Sequence, residues 1–437
     1  MPDTPSQALE HVIEEGRFLP ILNEACADTA ALVRILVGMS SDIWRKQHYY
    51  QLRARFDTLE NLLDDFGAKD NQTFHFLREL TASIRGFAQA GCSLAHMAGR
   101  LESYGVLDCL ELKEYGELEG HVANARSFIQ GSVVRMLLGL TEEWNALGVV
   151  PERRSLEEDA FSVPIVRQRL PHNLGESAPT KEVDYQAEIA SKFIQAERML
   201  REQGIRRIED PKDRDSYLRR HVREEQARVF EATVHNLQSA YDTYIKRGHL
   251  RDPRLPQLRG LASTALHMLE AVTALTHFYE RHESQVDGTA GQKRLNGLVK
   301  REDVQDRTLN HLLVPICMVF DRGSKLAREV LGAYTNAQEL SVRLDDGVTL
   351  HARPAALIVG IVTRYGTPVE LEVRGQRCNA GSILELLVLV GSNSDERDFT
   401  FRGDEKPLKD IATLFQYGLG EKGLDRLPET LEYLVKN

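Results

Sequence analysis

The chain is poor in the features that mark several protein classes. Its five cysteines, Cys26, Cys92, Cys109, Cys317 and Cys378, are scattered, and no Cys-x-x-Cys pair occurs. That spacing excludes a disulfide framework and the usual zinc sites. No uncharged apolar run approaches the roughly 18 residues a bilayer crossing needs. The best early one, Ala31 to Met39, is broken by Arg34. Basic charge is in deficit too: 55 Lys and Arg stand against 65 Asp and Glu, a formal charge of −10, which argues against a nucleic-acid binder. Neither a Gly-x-x-x-x-Gly-Lys-Ser/Thr loop nor a Gly-x-Ser-x-Gly elbow is present, so nothing points to an independent enzyme. The opening Met-Pro-Asp-Thr-Pro-Ser lacks the basic and apolar stretches of an export signal. The expected setting is cytoplasmic, without membrane insertion, and neither a metal nor a cofactor is expected.

What remains is ordinary globular chemistry, 42% hydrophobic and 27% charged over 437 residues, enough for two or three domains. To about Tyr334 the period is helical. Leu77, Leu80, Ile84, Phe87, Gly91, Leu94, Ala98 and Leu101 recur at steps of three and four, one stripe of a packed helix. A second stripe, Leu258, Leu261, Ala265, Met268, Val272, Leu275, Tyr279 and His282, lies 181 residues further on, position by position. The same offset places Ser93-Leu94-Ala95-His96 on Ala274-Leu275-Thr276-His277, Arg17-Phe18-Leu19 on Arg198-Met199-Leu200, and Gly67 on Gly248. We therefore expect an internal duplication: a helical bundle over 1–150, a linker over 151–187 broken by Pro151, Pro164, Pro171 and Pro179, and a second bundle over 188–335. The matched His96 and His277 could meet across the bundle, although core histidines need no ligand. Pro315 is expected to kink the last helix.

After Asn336 the period falls to two. Leu340 to Leu344, Val369 to Val373 and Phe399 to Arg402 alternate as half-buried strands, with helical stretches near 353–365, 382–390 and 406–418 between and after them. Residues 338–437 thus read as an α+β domain, helices on one face of an antiparallel sheet. Within it, His351 follows a strand and precedes a helix whose first turn holds Pro354. A histidine there faces free N–H groups and the positive end of the helix dipole, a setting that welcomes an anion. Neutral imidazole is a competent nucleophile near pH 7, and Arg353 can donate charge-assisted bonds to the same oxygens. On residue chemistry alone, a phosphoryl-accepting histidine and a plain helix cap are equally served.

Leu350-His351-Ala352-Arg353-Pro354-Ala355 resembles the active-site motif of HPr, the histidine phosphocarrier of the bacterial phosphotransferase system. Gly375 through Asn379-Ala380-Gly381-Ser382-Ile383-Leu384 resembles that family's second motif, with Ser382 31 residues after the histidine. The resemblance implies an open-faced sandwich in which His351 is phosphorylated by enzyme I and passes the group to an acceptor, with Arg353 stabilising it. It also implies that Ser382 is a regulatory phosphosite and that Ile383, Leu384 and Leu387 dock partners. Ser382-Ile383-Leu384-Glu385 is in addition a capping box, which accounts for the serine by stability alone. Four positions depart from the family pattern: Thr349 stands where a glycine is usual, Glu385 replaces a glycine, Gly391 sits one residue later than expected, and Gly360 stands where a basic residue is common. Residues 339–437 carry 12 Lys/Arg against 16 Asp/Glu, which disfavours an acidic partner such as enzyme I. The expected function is a phosphocarrier or regulator whose helical region binds an unidentified partner or itself. The alternative is an interaction scaffold that keeps the HPr fold without phosphoryl flux.

Overall fold

The computed structural model describes residues 12–41, 43–156, 161, 182–245, 252–281, 290–345, 348–421 and 423–434. Pro164, Pro171, Pro179, Gly248, His282 and Gly347 lie outside them. The helical region comprises α1 (Glu15–Gly38), α2 (Lys46–Asp65), α3 (His75–Ala98), α4 (Leu112–Leu147), α5 (Glu182–Glu202), α6 (Pro211–His221), α7 (Glu224–Ile245), α8 (Arg254–Arg281), α9 (Ala290–Leu298), α10 (Arg301–Asp306) and α11 (Val314–Tyr334). Local chemistry sets the ends. Asp210 accepts the Lys212 and Asp213 N–H groups before α6, Pro211 occupies its first turn, and Arg219, Arg220 and His221 close it. Helix α5 begins at Glu182, inside the stretch expected to be linker.

Both stripes are buried along the described parts of α3 and α8, except that Ala98, at the end of α3, is half-buried. Thr81, Ser83, Ala88 and Ala90, off the stripe, are buried as well. A helix covered on several sides needs several neighbours. Helix α3 packs on α2 and α4, α8 packs on α7 and α11, and α3 and α8 pack on each other. One hydrophobic core consequently runs from Phe18 to Val330, so the stretches expected as two bundles share a core instead of each closing its own. Gly260 permits the closest approach, since a Cβ there would collide with the Tyr104 carbonyl oxygen. Around Pro315 the expected kink takes another form. A π-helical segment, Arg307–Leu313, joins α10 to α11, and Pro315 falls in the first turn of α11. Proline has no N–H for the carbonyl one turn back, and wider bonding absorbs that loss.

The last hundred residues form the expected α+β sandwich: β1 (Ala337–Arg343), α12 (Ala352–Tyr365), β2 (Val369–Val373), β3 (Gln376–Asn379), α13 (Ile383–Ser392), β4 (Asp398–Asp404) and α14 (Glu405–Gln416). The antiparallel sheet has the order β1-β4-β2-β3. Phe401 pairs with Leu340 on one side and Leu371 on the other, and with Phe399 it anchors a separate core beneath Ile358, Ile361, Leu386 and Ile411. Arg374 (φ 48) and Gly375 (φ 79) make the two-residue turn between β2 and β3, which needs left-handed backbone at both positions. Among the described residues, the sandwich is tied to the rest at the junction after α11 and at the end of α12, among other points. Asn336 donates its backbone N–H to Asp404 (2.8 Å), and at the end of α12 a Cβ on Gly366 would stand 2.6 Å from the Glu188 Cγ of α5.

Candidate functional site

His351 is the N-cap of α12. Its carbonyl accepts the Ala355 N–H (3.0 Å), and its Nδ1 accepts the Arg353 N–H (3.4 Å). The ring is thus turned toward the open donors of the first turn, where Pro354 has no N–H to leave unmet. Its side chain is 47% exposed, so the helical region does not cover it. Arg353 is exposed, and among the described residues its guanidinium has no carboxylate partner.

On the far side of the ring, Nε2 lies 3.1 Å from the Glu421 carboxylate, a residue sequence reasoning missed. After α14 the chain turns through Gly418 (φ 64), Leu419 (φ 57) and Gly420 (φ 72), three left-handed residues in a row. A leucine tolerates that backbone only when its surroundings impose it. Leu419 is 1% exposed in the sandwich core, and a Cβ on Gly420 would sit 3.0 Å from Leu357 of α12. The wedge presses the turn onto α12 and delivers Glu421 to the imidazole. The only trace in the sequence is Gly-Leu-Gly before an acid, which carries no periodic signal.

Ser382 is the N-cap of α13, and its hydroxyl accepts the Glu385 N–H (3.3 Å). The reciprocal half of the expected capping box does not form. The Glu385 carboxylate accepts the Asn379 N–H (3.0 Å) instead, while the Ser382 N–H goes to the Asn379 carbonyl. The reason is that Asn379 ends β3 with a free donor within the glutamate's reach. Ile383, Leu384 and Val388 are 42%, 70% and 60% exposed, an open apolar strip. Leu387 lies half-buried against the core, and Val388, not singled out from sequence, extends the strip. Gly360 has a local explanation, because Leu434 of the C-terminal tail would lie 3.0 Å from its Cβ. A long basic side chain would displace that tail.

The other histidines pair differently from the expectation. His96 meets His267 (ring centroids 4.7 Å) and Lys46 (3.1 Å), whereas His277 bonds Glu224 (2.8 Å). Burial, with His267 beside it, lowers His96 to about 4. Among the described residues no group of three or more His, Cys, Asp or Glu could hold a metal, and no helix is long and apolar enough to cross a membrane.

A small four-stranded sandwich with an uncovered imidazole at the start of its first helix, and an apolar strip on its second, defines a histidine-phosphocarrier module. Comparison with known proteins agrees: residues 338–416 match the PTS-HPr family, PTS HPr component phosphorylation site. The chain is also 39% identical over 69 residues to the HPr-like protein Crh of Bacillus subtilis (strain 168), covering 79% of that protein and 16% of this chain. Through this module the chain belongs to the HPr family, and its general role is that of a phosphocarrier or regulator of the phosphotransferase system. No solved structure matches the chain. The helical region lies outside both matches.

Proposed function

We propose that His351 accepts a phosphoryl group from phosphorylated enzyme I and passes it to an acceptor protein, or uses it to switch what the helical region binds. The observation that carries this reading is the half-exposed imidazole, turned to the first-turn N–H groups beside Arg353, whose guanidinium has no carboxylate partner among the described residues. The exposed Ile383, Leu384 and Val388, with Leu387 at their edge, give partners a docking strip that the helical region leaves free. Ser382 is the second candidate phosphosite. Its oxygen accepts a backbone N–H at a helix start, where a phosphate is favoured by the dipole. In the helical region, the order α2-α3 repeated as α7-α8 supports the internal duplication, with a platform for a partner or a second copy as its use. The setting is the cytoplasm, where the phosphotransferase system works.

The decisive experiment incubates the full chain with enzyme I and phosphoenolpyruvate, comparing wild type with His351→Ala. Labelling confined to wild type is expected, and equal labelling of both overturns the reading. One observation favours the scaffold alternative. Arg343, Arg374, Arg377 and Arg402, four of the module's 12 Lys/Arg, are held in ion pairs with the module's own carboxylates, which reduces the positive charge open to an acidic partner. That alternative predicts no transfer from His351 and unchanged partner binding by His351→Ala.

A further inference from the structure

We infer that the helical region has a binding site of its own, for a small molecule bearing two phosphoryl groups, in an open cleft where α6, α9 and α10 meet. The cleft, of about 770 Å³, is lined by five cations, Lys212, Arg219, Lys293, Lys300 and Arg301, against two carboxylates, Asp215 and Glu302. That local excess stands out in a chain of net charge −10. The lysines come from three separate places: the first turn of α6, α9, and the residue that precedes α10. They are brought together by folding and not by neighbourhood in sequence. Gathering like charges costs stability through self-repulsion, and a bound anion removes that cost.

The surrounding bonds leave the lysines to a ligand. Asp215 is already engaged, because its carboxylate accepts hydrogen bonds from Arg219 (2.8 Å), Arg301 (2.9 Å) and Gln305 (2.6 Å). Among the described residues, Lys212, Lys293 and Lys300 make no ion pair. The Asn296 side-chain oxygen accepts the Arg301 N–H (3.1 Å), which leaves its amide N–H groups for a ligand oxygen. Arg214, 4% exposed, fixes the walls. It donates to the Ile208 and Glu209 carbonyls ahead of α6 and to the Glu302 carbonyl of α10, each at 3.1 Å. Charge and shape then select the ligand class. A phosphoryl group carries about −1.5 to −2 near neutral pH, so two of them match the excess of positive charge and one does not. No aromatic ring lines the cleft to stack on a nucleobase, whereas Asn296 and Glu302 offer partners for hydroxyl groups. The volume suits a sugar-sized molecule with two phosphates.

The test titrates the full chain with inorganic pyrophosphate by calorimetry at constant ionic strength. One site per chain is expected, with inorganic phosphate binding about tenfold more weakly. Lys293→Gln combined with Lys300→Gln should weaken pyrophosphate binding about tenfold or more. Lys113→Gln combined with Lys325→Gln removes the same charge elsewhere and should leave binding unchanged, as should His351→Ala. The inference is overturned by an absence of pyrophosphate binding, by equal affinities in the two double variants, or by binding that is lost in His351→Ala. Inorganic phosphate binding as tightly as pyrophosphate overturns the two-phosphoryl assignment. Citrate or hexaglutamate binding as tightly through Lys293 and Lys300 also overturns it, since the cleft would then take carboxylates or an acidic peptide.

Discussion

Arg353 offers the sharpest test of the site because it does so little for the fold. Its side chain is exposed and, among the described residues, makes no ion pair, so Arg353→Ala should change folding stability by no more than about 0.5 kcal/mol. Its expected work begins when a phosphoryl group arrives two residues away on His351. Hydrogen bonds to charged groups contribute about 1.5–3 kcal/mol, and solvent exposure argues for the lower end. About 1.4 kcal/mol is a tenfold change in rate, so Arg353→Ala should load His351 about ten times more slowly. Arg353→Lys should fall between, keeping the charge but losing the two-pronged geometry. Raising the salt should narrow the gap between wild type and Ala, because an exposed charge is screened. The assay is the initial rate of His351 labelling at two ionic strengths, with thermal unfolding as the control. Equal rates at low salt, with equal stability, would refute the role given to the guanidinium.

Three further outcomes are expected. Ser382→Ala should destabilise the sandwich by about 1 kcal/mol, read as a lower urea midpoint, while Ser382→Asp keeps an acceptor for the Glu385 N–H and should stay near wild type. Gly260→Ala sets a methyl against the Tyr104 carbonyl, and a loss of about 2 kcal/mol or more should appear as a lower melting temperature of the helical region. His96 and His311 are both lowered to about 4, chiefly by burial. Their folded values lie below the unfolded value of about 6.5, so the unfolded state binds more protons between the two. Stability should therefore hold above about pH 6.5 and decline as the pH falls toward 4, and His311→Gln should flatten that slope in unfolding measured across the window.

The sandwich was legible because two kinds of signal coincided in it. Alternation at Leu340–Leu344 and Val369–Val373 gave the strands, and the Pro354 and Ser382 positions marked the helix starts. His351 caps α12, and Ile383 and Leu384, singled out by the family resemblance, are exposed at the start of α13. Glu421 escaped because its placement depends on three left-handed residues and a buried Leu419, and neither leaves a period in the sequence. Glu385 was placed in a reciprocal cap by its spacing, but the Asn379 donor that captures it comes from an adjacent strand end. The shared core of the helical region was hidden for a related reason. A heptad stripe identifies one packed face, whereas Thr81, Ser83 and Ala90 show that α3 is covered on others too. His96 met His267 and not its offset partner His277, because α3 and α8 cross at a register that the offset does not specify.

Helix α12 has its histidine at one end and Gly366, lodged against Glu188, at the other. Fourteen residues at about 1.5 Å each separate them by roughly 20 Å. That span exceeds twice the distance over which physiological salt extinguishes an exposed charge, about 8 Å. A negative charge gained at His351 on phosphorylation would therefore reach α5 only in strongly screened form. News of it has to travel as a mechanical displacement of the rod, or inside a visiting protein broad enough to touch both ends at once.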